Sequence, residues 1–165
     1  MKKITFIVLA FATGFEVFSQ DIDSMACKLV DVFREKDTAS IPAMCLMPDD
    51  TPYIIQKKME AEGIVSTQTP KSDAYLDTAL ITYKNKINEA FLQLRKKAAE
   101  LGLDWSKARC NNYSFAIQLN PAEGLPTAHG QIIIASGVKT FEIALKSLIK
   151  INGRWKIIDI DIVQK

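Results

Sequence analysis

His129, Asp159 and Asp161 are the residues of this chain whose types and spacing could do chemistry. An imidazole beside two carboxylates is a device for general acid–base catalysis, or the beginning of a metal site. Asp159 and Asp161 stand two residues apart, so on a strand they share one face. His129 is the chain's single histidine, which excludes a histidine-rich metal centre. Whether these groups meet in a buried pocket or on a wet surface depends on the elements that carry them.

The register can be counted from the "KSLIKINGRWKIIDIDIVQK" segment. Asn152-Gly153 between two apolar runs is a strong hairpin signal, because both residues accept positive φ. From that turn Ile151 pairs with Arg154, Lys150 with Trp155, Leu148 with Ile157, Lys146 with Asp159, and Ala144 with Asp161. Leu145 then faces Ile160, and Ile143 faces Ile162. A Ser136-Gly137 turn places Ile132 beside Phe141, Gln131 beside Glu142, and His129 beside Ala144. Ile132, Ile134, Phe141, Ile143, Leu145, Ile160 and Ile162 share an apolar face, and a one-residue slip would drive both aspartates into it. The expectation is therefore that His129, Asp159 and Asp161 lie on the solvated face, with Lys146 as cross-strand partner of Asp159. No catalytic or metal-ligating residue is assigned.

The remaining elements are read from periodicity. Ile22, Met25, Ala26, Leu29, Val30 and Phe33 recur at helical spacing, predicting an amphipathic helix over 22–37. A linker with Pro42 and Pro48 follows. Thr51-Pro52 opens a second helix that runs to Gly63. Thr69-Pro70 opens a third, whose stripe of Leu76, Leu80, Tyr83, Ile87, Phe91, Leu94, Ala98 and Leu101 faces a core and stops at Gly102. Tyr113, Phe115, Ile117 and Leu119 alternate as a strand. The fold class is α+β: three N-terminal helices packed on a four-stranded antiparallel sheet.

Two further constellations arise. Tyr83, Phe91, Tyr113, Phe115 and Phe141 are candidates to line a pocket between the helices and the sheet. Leu148, Trp155 and Ile157 form an apolar group on the otherwise polar face, a candidate surface for a protein partner or a homodimer contact. No Gly-rich phosphate loop, Gly-x-Ser-x-Gly or His-Glu-x-x-His occurs.

Lys2 and Lys3, the apolar run Ile4–Phe15 and the "VFS" that follows read as a signal peptide over residues 1–19. Its apolar run is too short for the ~20 residues of a membrane span. Residues 20–165 form a single domain, exported to a periplasmic or extracellular location, with no membrane span after cleavage. Losing Lys2, Lys3 and Glu16 takes the net charge from +2 to +1, which provides no basic field for nucleic acid. Cys27, Cys45 and Cys110 allow three disulfide pairings in an oxidising compartment. The reading of all three as small buried apolar groups stays open too.

The segments "GLDWSKA" and "GVKTFEIALKSLIKINGRWKIIDI", following a signal peptide and helices, resemble small exported proteins of the nuclear transport factor 2-like, or cystatin-like, superfamily. The resemblance spans about residues 22–163 and is closest over 100–108 and 137–160. It implies a cone, in which a long helix and shorter ones lie in the concave side of a curved sheet. Many members have no assigned function, whereas ketosteroid-isomerase-like and dehydratase-like members carry acids or histidines inside the cone. Here the face expected to line the cone is aliphatic. The expected function is binding, of a small apolar ligand in the cone or of a protein partner on the outer sheet face, with no cofactor. The alternative is an isomerase or lyase of the ketosteroid-isomerase-like group.

Overall fold

A computed structural model of the protein describes residues 22–64, 74–119 and 124–165. The signal peptide expected over residues 1–19 and the expected Thr69-Pro70 helix start lie outside these residues. The described residues form an α+β structure. Helix α1 spans 22–35, α2 Ile41–Met44, α3 Thr51–Ala61 and α4 Ala74–Glu100. The sheet follows as β1 Arg109–Leu119, β2 Pro126–Ser136, β3 Lys139–Ile151 and β4 Arg154–Gln164, an antiparallel meander in the order β1-β2-β3-β4.

All six apolar positions read on α1 are buried, Ile22, Ala26, Leu29, Val30 and Phe33 almost completely. The helix stops at Lys36, which adopts a φ of 59°. The expected linker contains α2 instead. Pro42 occupies its first turn, where a missing N–H costs no hydrogen bond, and Ile41 and Met44 are buried. Beyond α2 the chain lies alongside β4 for one residue, Cys45 forming a parallel bridge to Ile157 with the Leu46 N–H donating to the Ile157 carbonyl at 2.9 Å. Helix α3 starts at Thr51 itself, with Asp50 before it, and none of its residues is buried. Strand β1 begins at Arg109 and β2 at Pro126, so both strands are longer than their apolar runs suggested.

Of the described stripe positions on α4, those from Ile87 onward pack on the core. Phe91 and Ala98 are buried, Ile87, Leu94 and Leu101 half-buried, and Tyr83 exposed. The segment after Gly102 locks this end of the helix to its neighbours. Trp105 is buried and stacks on Phe33 with ring centroids 5.0 Å apart, while its Nε1–H donates to the Arg95 carbonyl at 2.9 Å. Arg95 Nε in turn donates to the Phe33 carbonyl at 2.8 Å. A disulfide joins Cys27 of α1 to Cys110 of β1, which leaves Cys45 as the free thiol.

The Asn152-Gly153 turn has both residues at positive φ, 48° and 78°, and the pairs nearest it are those counted from the sequence. The other hairpin turns on Gly137-Val138, with Ser136 opposite Lys139. Gly137 supplies the positive φ of 63°. The register of β2 on β3 therefore moves by two residues, pairing Ile132 with Ile143 and Ile134 with Phe141. A shift of two preserves faces, and Ile132, Ile134, Phe141, Ile143, Leu145 and Ile162 are all fully buried.

A bulge line crosses the sheet. Lys146 and Ser147 of β3 together oppose the single residue His129 of β2, between the pairs Ala128–Leu148 and Gly130–Leu145. On β4, Ile158 is the extra residue between Ile157 and Asp159. An extra residue reverses the side-chain alternation beyond it. The inward set of β3 changes from Phe141, Ile143 and Leu145 to Leu148 and Lys150. Gly130 sits at this bend because a Cβ there would collide with the Ser114 carbonyl and with Phe115.

The bulge corrects two expectations. Asp159 pairs with Ser147 rather than Lys146. Leu148, Trp155 and Ile157 point inward beyond the bulge and are 0%, 5% and 4% exposed, so they belong to the core and not to an outer partner surface.

Candidate functional site

The apolar residues of four elements converge on a cavity of about 150 Å³ between the helices and the β4 edge. Leu29 and Phe33 come from α1. Ile41, Cys45 and Leu46 come from α2 and the segment after it. Tyr83, Ile87, Ala90, Phe91 and Leu94 come from α4, and Ile157, Ile158 and Ile160 from β4. The bulge makes this arrangement: it turns Ile157 inward while leaving Ile158 about half exposed at the mouth. The short parallel contact at Cys45 and Leu46 closes one end of the space, since Pro48 then turns the chain away into a 3-10 turn over Pro48–Asp50.

Among the described residues the wall carries two polar side chains, the Cys45 thiol and the Tyr83 hydroxyl. Burial pushes the Cys45 thiol up to about 11, with the nearby Lys156 ammonium opposing the shift only partly. The thiol is thus protonated and poorly nucleophilic at neutral pH. Lys156 itself is held by the Ala43 carbonyl at 3.1 Å and by Asp50 at 3.7 Å, which pins α2 to β4.

Of the expected pocket residues, the structure brings Tyr83 and Phe91 together at the cavity. Tyr113 and Phe115 lie on β1, their rings 6.1 Å apart. Phe115 lines a shallow depression on the sheet with His129, Gln131, Glu142 and Lys146. Phe141 is fully buried and fills the core instead of lining the cavity. Sequence reading missed Leu46 and Ile158 as wall residues and took Leu29 and Phe33 as plain core. Two features signalled the change: Leu145 and Leu148 break strict alternation, and Ile157-Ile158 puts two large aliphatics side by side.

Asp161 is half-buried and receives a hydrogen bond from Lys97 Nζ of α4 at 2.8 Å and one from the Ile162 N–H at 2.8 Å. Lys146 stands 3.7 Å from its other oxygen. The Lys97 hydrogen bond first, then the Ile162 amide, hold its carboxyl below the ordinary carboxylate range. A depressed folded-state pKa stabilises the fold above the unfolded value, near 4, and that contribution disappears as pH falls through the folded value. Asp161→Asn is expected to cost no more than about 1 kcal/mol at neutral pH and to flatten part of the acid limb. Denaturant titrations at neutral and acidic pH check this; parallel stability profiles for the two proteins would dismiss the clasp.

Among the described residues no group of three His, Cys, Asp or Glu side chains is placed to hold a metal ion. No helix among them is long and apolar enough to cross a membrane. No family model, curated protein or solved structure matches this chain.

Proposed function

We propose that this protein is an exported binding protein that holds a small apolar ligand in the cavity between α1, α4 and the β4 edge. The observation that carries the reading is the cavity wall, built from thirteen residues none of which bears a charge. An apolar cavity of this volume holds a ligand of benzene's size, about six to eight non-hydrogen atoms, and is too small for drug-sized molecules. The wall chemistry favours capture over proton transfer: its thiol is held protonated, and among the described residues no carboxylate or imidazole faces the space. Export is supported by the Cys27–Cys110 disulfide, a bond of oxidising compartments. A long helix packed at one end on a bulged four-stranded meander supports the nuclear transport factor 2-like reading.

The burial of Leu148, Trp155 and Ile157 removes the sheet-face patch that had motivated a protein partner. The ligand reading is tested at Ala90, which is exposed on α4 yet borders the cavity. Ala90→Trp is expected to abolish binding of n-hexanol or benzene, measured by methyl-resolved NMR titration. Stability should change by no more than about 0.5 kcal/mol, as for surface substitutions generally. Equal binding by both proteins would place the ligand elsewhere.

A further inference from the structure

The cavity opens into a groove along α4 and β4, lined by Gln93, Lys97 and Asp159 and sharing Ala90, Leu94, Ile158 and Ile160 with it. Two contacts flank the groove. In one, Leu46 is hydrogen-bonded to Ile157; in the other, Lys97 is clasped to Asp161. From residue 157 to residue 161 a strand advances only about 13 Å. That interval is too short for an extended peptide to run along the strand edge, and it suits a short chain molecule.

The charges in the groove are unequal in their engagement. Lys97 is committed to Asp161. Asp159 is exposed and, among the described residues, has no ion-pair partner: both nearby ammonium groups, of Lys97 and Lys146, point to Asp161. An anionic head entering the groove would have to compete with Asp161 for Lys97 while facing the Asp159 carboxylate. A cationic head meets Asp159 directly, with the Gln93 amide on the opposite, helical side of the groove.

We infer that the ligand is a short cationic amphiphile, an alkyl- or arylalkyl-amine whose apolar part fills the cavity and whose ammonium group lies in the groove at Asp159. This inference rests on the cavity reading above and specifies its ligand class. Titrating n-hexylamine, n-hexanol and n-hexanoate at neutral pH and low salt tests it, because the three share one chain and differ in head charge. The amine should bind about three- to five-fold more tightly than the alcohol, the yield of one exposed ion pair, and hexanoate more weakly than either. Asp159→Asn should remove the amine's advantage over the alcohol, and added salt should shrink that advantage in wild type. Hexanoate binding as tightly as the amine, or an amine preference that survives Asp159→Asn, overturns this inference alone. Absence of binding by all three overturns the cavity reading and the inference with it.

Discussion

Replacing Cys27 and Cys110 together by alanine is expected to lower stability by about 4–5 kcal/mol. The two residues are 83 apart in sequence, and closing so long a loop removes much of the entropy of the unfolded chain. The bond also ties the first helix to the first strand, elements that only the complete fold would otherwise hold together. Single domains are stable by about 5–15 kcal/mol in total, so the double variant should sit near the edge of unfolding at physiological temperature. Equilibrium denaturation of wild type with and without reductant, beside the double variant, checks the prediction. Reductant should shift wild type toward the variant and leave the variant unmoved. A loss under about 1 kcal/mol would mean that the unfolded chain is already compact around this link.

Phe33→Ala is expected to cost about 3–5 kcal/mol, the range for truncating a buried aromatic residue. Phe33 is 1% exposed, with its ring centroid 4.4 Å from that of Phe91 and 5.0 Å from that of Trp105. Its removal takes away both ring contacts and enlarges the cavity that the ring borders. Denaturant titration measures the cost, and NMR titration with a two-ring hydrocarbon reads the enlarged space: such a ligand should enter the variant and not wild type. A Phe33→Ala protein of wild-type stability would show that the stack is not close-packed.

The legible parts of this fold are those where side-chain type alone decides the geometry. The six apolar positions of α1 are set by helical period. Asn152-Gly153 is set by the φ values that those two residues tolerate, and the inward aliphatics of β3 are set by alternation up to Leu145. What was not legible is where alternation stops. A bulge at Lys146–Ser147 costs one residue of pairing and leaves only a faint mark in sequence, yet it reverses Leu148, Trp155 and Ile157 from surface to core. The cavity depends on the same event, together with the approach of α2 to β4, which no local period encodes. Tyr83 and Phe91 were found because they lie on the α4 stripe. Leu46 and Ile158 were not, because their role exists only in three dimensions.

The contacts along β4 also decide how the molecule behaves in company. As the last strand of the meander, β4 would otherwise present a row of open amides and carbonyls to any passing extended chain. Leu46 takes the carbonyl of Ile157, and Asp161 takes the amide of Ile162 while carrying its charge at the edge. The strand is thereby engaged at two points from within, by the segment after α2 and by its own carboxylate. Intermolecular strand pairing, the first step toward fibrous aggregates, meets those two occupied positions on this side of the protein.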